Sequence, residues 1–199
     1  MNEISLSTDA LLVQKTLSGN PAGFDELMRR YQTRLFAFLQ KIGGLSQVET
    51  EDLVQETFLR AYSRLEKFNF TEYSSNNAFG AWLFSIGRRI WLNHLREEKK
   101  QKYVFFSDNS DVSSQIQSVP DNQPKPDEGF IQTDARAFFW DKLKRYVTEP
   151  QWTALWLKYV EEYTIAEIAA SLGKNQQSVK ALLHRARLGL QNHPDIIQS

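Results

Sequence analysis

Gln177, Lys180, His184, Arg185 and Arg187 crowd hydrogen-bond donors and positive charge into one short run that also holds Val179, Leu182 and Leu183. From Ser171 to Leu190 there are four basic residues and no acidic one, although the whole chain balances 24 Lys and Arg against 24 Asp and Glu. A phosphate backbone responds to such local charge, whatever the net charge of the chain. On a helix, Val179, Leu182, Leu183 and Ala186 face a core, and Gln177, Lys180, Ala181, His184, Arg185 and Arg187 take the remaining surface. Gln177, Lys180 and His184 come early enough to reach base edges, while Arg185 and Arg187 are placed to hold phosphates. A solvated basic helix face has the same composition, and a lone exposed His184 ordinarily does nothing. With only His94 and His193 besides, no metal site is expected. No nucleophile–base set or Gly-rich phosphate loop stands out either, so the chemistry expected is binding without catalysis or cofactor.

The residues around this run decide how it is presented. In TIAEIAASLGKNQQSVKALLHRAR, Thr164 and Glu167 have capping-box spacing and mark a helix start. Gly173 suits a left-handed stop, and Asn175 suits the cap of a second helix. Ala169 is small enough for a steep crossing, with Ile168, Leu172, Val179 and Leu182 as the shared core. These are the marks of a helix-turn-helix whose second helix enters a DNA major groove.

A different surface is expected upstream. In DLVQETFLRAYSRLEKF, Leu53, Thr57, Ala61, Leu65 and Phe68 form an inner stripe, thickened by Val54, Phe58 and Tyr62. Asp52, Gln55, Glu56, Leu59, Arg60 and Ser63 point the other way. Leu59 among charges suggests a protein docking face, although one stray exposed leucine is ordinary. In FGAWLFSIGRRIWLNHLREEKK, Leu83, Ile86 and Ile90 follow core spacing, and Trp82 is expected to be at least partly buried. Arg88, Arg89, Asn93 and Arg96 flank a helix bearing Trp82 and Trp91, a mixture suited to single-stranded nucleic acid. The preceding loop offers Tyr73, Asn76 and Asn77 to an unstacked base.

No segment alternates as a strand does, so the chain of 199 residues reads as all-α. A first long helix follows from Phe24, Leu27, Met28, Tyr31, Leu35, Phe38 and Leu39, stopped at Gly43 and Gly44. Helices are expected at about 52–68 and 78–100, then near 131–147, 150–160, 164–171 and 176–190. Residues 101–130 hold two positive and five negative charges, with Pro120, Pro124 and Pro126 among polar neighbours. Such a stretch buries too little to offset its ordering entropy. The expected organisation is therefore a helical domain over 1–102, a flexible acidic linker over 103–130 and a helix-turn-helix domain over 131–199. The absence of cysteine rules out disulfides and thiolate sites and suits a reducing cytoplasm. The first residues lack the pattern of a secretion signal, and no apolar run nears the ~18 residues of a membrane span.

DLVQETFLRAYSRL, then FGAWLFSIGRRIWLNHLR, then EPQWTALWLKYVEEYTIAEIAASLGKNQQSVKALLHRAR resembles a bacterial sigma factor of the extracytoplasmic-function class. The resemblance covers about 20–100 and 130–192. It implies a cytoplasmic protein that binds core RNA polymerase and directs promoter recognition and melting, without catalysis of its own. Asp52, Gln55, Glu56, Leu59 and Arg60 then become candidate polymerase contacts. Tyr73, Asn76, Asn77, Arg88, Arg89, Asn93 and Arg96 become candidates for the minus-ten element. Gln177, Lys180, Ala181, His184, Arg185 and Arg187 become candidates for the minus-thirty-five element. An anti-sigma protein is an implied partner. Ser85 and Arg89 stand where the family often has Arg and Asn, Ala181 replaces a frequent Ser, and Lys174 takes a turn position that is often apolar. Two other readings fit parts of the chain: a helix-turn-helix regulator that does not dock on polymerase, and a sigma-like protein that titrates a partner.

Overall fold

Capping chemistry sets the helix boundaries, and the computed structural model describes them for residues 8–68, 78–108 and 134–191. The described residues form α1 (Asp9–Leu17), α2 (Ala22–Gly43), α3 (Gln47–Ser63), α4 (Ala78–Asp108), α5 (Asp134–Leu143), α6 (Glu149–Tyr159), α7 (Ile165–Leu172) and α8 (Gln176–Gln191), with no strand among them. A single 3-10 turn, Leu65–Lys67, follows α3. The all-α expectation holds.

Several boundaries differ from the sequence expectation. Helix α1 was not anticipated, yet Leu12 and Val13 are buried on it. Helix α3 begins at Gln47, ahead of Asp52, because Ser46 caps it: Glu49 N–H donates to Ser46 Oγ at 3.3 Å and Ser46 N–H donates to Glu49 Oε2 at 2.9 Å. It ends at Ser63, short of 68, but the inner stripe of Leu53, Thr57 and Ala61, continued past its end by Leu65 and Phe68, is buried as the spacing predicts. Tyr62 is not; it lies at the rim, 54% exposed, with its ring edge-on to Phe24 at 5.0 Å. Met28 likewise sits at the exposed edge of its stripe. Helix α4 continues to Asp108, so the start of the expected linker is helical. Most of 103–130 lies outside the described residues.

The second half builds the expected helix-turn-helix. Thr164 N–H donates to Glu167 Oε2 at 2.6 Å and Glu167 N–H to Thr164 Oγ1 at 3.2 Å, which starts α7. Gly173 then turns the chain at φ 62°, a left-handed conformation that costs a residue with a Cβ more. Asn175 Oδ1 accepts from Ser178 N–H at 2.8 Å and caps α8. Ile168, Ala169, Leu172, Val179, Leu182, Leu183 and Ala186 are buried between these helices and α6. Beneath them Trp152 and Trp156 stack with centroids 5.2 Å apart, and Trp140 packs against both.

The two halves pack against each other. Helix α4 packs on α7, and α2 packs on α6. Phe38 lies 6.1 Å from Trp152 and 6.2 Å from Trp156, and Phe84 meets Tyr163 edge-on at 5.9 Å. One buried apolar cluster therefore runs through both lobes, α1–α4 and α5–α8. Separate spacing patterns in each half carried no sign of this contact, because apolar periodicity shows that a face is buried and not what buries it.

Candidate nucleic-acid interface

Helix α8 presents its polar side as the sequence suggested. Gln177, Lys180, Ala181, His184, Arg185 and Arg187 are all exposed. Gln177, Lys180, Ala181 and His184 recur at three- and four-residue steps, so they form one stripe along the helix. Arg185 and Arg187 flank it. Arg185 Nε donates to Ala181 O at 3.3 Å, and Arg187 Nη2 donates to Tyr159 Oη at 2.8 Å. Tyr159 is thus a support for Arg187 that sequence reasoning missed; only its place late in α6 could have hinted at it.

On α3, Asp52, Gln55 and Leu59 are exposed, while Glu56 and Arg60 are partly covered and ion-paired with each other. Leu59 is 71% exposed. It is joined by two residues that were not anticipated there, Val48 at 67% and Tyr62 at 54%. Val48, Asp52, Gln55, Leu59 and Tyr62 follow one another by three or four residues, a continuous stripe with apolar groups at both ends. Val48 was missed because the helix was expected to start after it.

The α4 candidates part company. Arg89, Asn93 and Arg96 are exposed, with Arg96 Nη1 3.4 Å from Asn93 Oδ1. Arg88 was expected on the open surface. Instead its Nε and Nη2 donate to Glu149 Oε1 and Oε2 at 2.6 and 2.7 Å, across the lobe boundary. Trp82 is half-buried against Phe68 at 4.8 Å, but Trp91 is only 7% exposed and belongs to the core. Tyr73, Asn76 and Asn77 lie outside the described residues.

Helix packing also gathers Glu49, His94 and Glu98, each with one ligand atom within 4.8 Å of the others. Counting histidines had suggested no such group. His94 Nε2 lies 3.4 Å from Glu98 Oε1. A nitrogen and two carboxylates suit a divalent cation such as zinc. Glu49 already has a structural task, however: Ser46 donates to it from backbone and hydroxyl, which holds its carboxyl below the usual range.

A helix-turn-helix whose second helix exposes Lys180, Arg185 and Arg187 is the architecture of a DNA-binding protein. Residues 27–101 match the Sigma-70 region 2 family and residues 146–190 match the Sigma-70 region 4 family. The chain belongs to the sigma-70 family, in its extracytoplasmic-function branch. It is 26% identical over 176 residues to the ECF RNA polymerase sigma factor BldN of Streptomyces coelicolor, an alignment covering 88% of this chain and 61% of that relative. It is 24% identical over 182 residues to the ECF RNA polymerase sigma factor SigW of Bacillus subtilis, covering 89% and 92% respectively. Its fold is similar to that of CnrH, solved in complex with the cytosolic domain of CnrY, with a TM-score of 0.66, 20% identity and coverage of 97% and 100%.

Proposed function

We propose that the chain is the promoter-selecting subunit of a bacterial RNA polymerase. The α1–α4 lobe (residues 1–102) docks on core polymerase through Asp52, Gln55, Glu56, Leu59 and Arg60, with Val48 and Tyr62 extending the stripe. The same lobe holds the melted minus-ten element with Arg88, Arg89, Asn93 and Arg96 and the loop bearing Tyr73, Asn76 and Asn77. The α5–α8 lobe (residues 131–199) reads the minus-thirty-five element in duplex form, with Gln177, Lys180, Ala181 and His184 toward bases and Arg185 and Arg187 toward phosphates. Residues 103–130 tether the two, so that each weak contact raises the effective concentration of the other. The protein acts in the cytoplasm, has no catalytic activity of its own, and has an anti-sigma protein as a further partner. No helix among the described residues is long and apolar enough to cross a membrane.

The observation that carries this reading is the α3 stripe of Val48, Asp52, Gln55, Leu59 and Tyr62, in which Leu59 is 71% exposed. A helix-turn-helix regulator that ignores polymerase has no use for it. Run-off transcription with purified core polymerase is the test. Promoter-specific product is expected. Duplex binding in the absence of core, with no product, supports the regulator instead, and core binding with no initiation supports a titrating protein.

A further inference from the structure

Three ion pairs between the lobes share one polarity. Arg34 on α2 meets Glu161 at 2.6 Å, Lys41 on α2 meets Asp141 at 2.9 Å, and Arg88 on α4 meets Glu149 at 2.6 Å. The cations all belong to the α1–α4 lobe and the carboxylates all belong to the α5–α8 lobe. Carboxylates thus occupy Arg and Lys groups of the kind that neutralise phosphates. One of those cations, Arg88, sits among the minus-ten candidates on α4.

The buried centre of the same interface has a defect. Tyr163 is fully buried, yet its hydroxyl has no hydrogen-bond partner. The ring fits because position 80 is glycine: a Cβ there would overlap Tyr163 Oη and stand 2.6 Å from Tyr31 Cε1. Shape complementarity is therefore good, but a buried hydroxyl with no partner opposes closure, because on opening it regains water. The rim pairs are partly solvated, and Glu149 and Arg88 remain 25% and 18% exposed. Joined in one chain, the two faces meet at high effective concentration, so even a modest interface closes them.

We propose that the α5–α8 lobe is a releasable clasp on the α1–α4 lobe: Glu149 occupies Arg88 in place of DNA phosphate, and the unpaired Tyr163 hydroxyl keeps the clasp able to open. This rests on the reading of Arg88 as a DNA contact. It makes the structure described here the closed, DNA-poor form. Phosphate and Glu149 compete for the same guanidinium, so nucleic acid and clasp closure are linked: whatever favours one disfavours the other by the same factor.

The test uses the full chain, which has no cysteine of its own. Spin labels on Ser18→Cys and Lys174→Cys, both exposed positions, report the distance between lobes. Fluorescence anisotropy with a mixed-sequence single-stranded DNA reports binding. Glu149→Gln is expected to populate longer distances and to tighten DNA binding several-fold. Arg88→Ala is expected to lengthen the distances equally but to bind no more tightly, and to cancel the gain of Glu149→Gln when the two are combined. Tyr163→Phe is expected to have the opposite sign, with a narrower short-distance population and weaker DNA binding; a damaged fold cannot mimic this. Unchanged distances in Glu149→Gln, a gain in binding that survives Arg88→Ala, or opening in Tyr163→Phe would each overturn the proposal. Run-off transcription on the wild-type chain is scored separately. Its failure counts against the sigma reading and leaves the distance result to judge the clasp.

Discussion

Arg88 and Glu149 lie 61 residues apart in the chain and form a two-pronged pair, with Nε and Nη2 on the two carboxylate oxygens at 2.6 and 2.7 Å. Glu149 stands in the first turn of α6, where the helix N-terminus already favours a negative charge. Thr153 Oγ1 adds a bond to it at 2.8 Å. The carboxylate is thus fixed by its own lobe before it meets the other. Hydrogen bonds between charged groups are worth about 1.5–3 kcal/mol, enough for the choice between Glu149 and phosphate to matter.

The exposed stripe of α3 is open to direct attack. Leu59→Asp places a charge on α3's exposed face without touching the buried apolar residues. Affinity for core polymerase is expected to fall at least tenfold, about 1.4 kcal/mol, with the melting temperature within a degree or two of wild type. Pull-down titration and thermal denaturation check both halves. Unchanged affinity would remove Leu59 from the interface.

On α8 the two kinds of contact separate by their sequence dependence. Arg185→Ala is expected to weaken promoter duplexes uniformly and to lower the salt slope by about one unit. Lys180→Ala is expected to lose about 1–3 kcal/mol at one base pair and to relax selection there. Binding of a set of single-base promoter variants distinguishes them; a base-specific loss for Arg185→Ala would reverse its assignment.

The turn between α7 and α8 has a predictable cost. Gly173→Ala forces a Cβ into the left-handed region and is expected to destabilise by about 1–2 kcal/mol. Open space surrounds the position, so the effect is purely one of backbone conformation. Urea denaturation measures it, and Gly173→Asn is expected to lose less, since Asn tolerates this conformation.

Acid stability has a named contributor. Glu26 accepts from Arg29 Nε and Nη2 and from Arg30 Nε, each at 2.8 Å, and these bonds lower its pKa to about 2. A carboxyl depressed in the folded state stabilises fully above its unfolded value, about 4.3, and loses that contribution as pH falls toward 2. Glu26→Gln is therefore expected to melt below wild type at pH 6, with the gap closing between pH 4 and pH 2. A gap independent of pH would show that the carboxylate charge is not the cause.

Local signals carried far in this chain. The box of Thr164 and Glu167, the left-handed Gly173 and the Asn175 cap are properties of a few adjacent residues, and all were legible. So was the inward stripe of α3, because its spacing matches the helical period. The misses have separate causes: α1 has little periodic length to detect, and the Ser46 cap starts α3 ahead of its apolar stripe, which brings Val48 onto the exposed face.

Read alone, the chain of residues determined two helical units, the helix-turn-helix and the polar stripe of α8, since backbone hydrogen bonding and side-chain period are short-range. Only the tertiary structure decided that Phe38 would meet Trp152, that Tyr163 would enter the notch at Gly80, and that Arg88 would face Glu149. Those contacts join residues many tens of positions apart. Their partners are chosen by the shape and charge of whole faces, which no local pattern encodes.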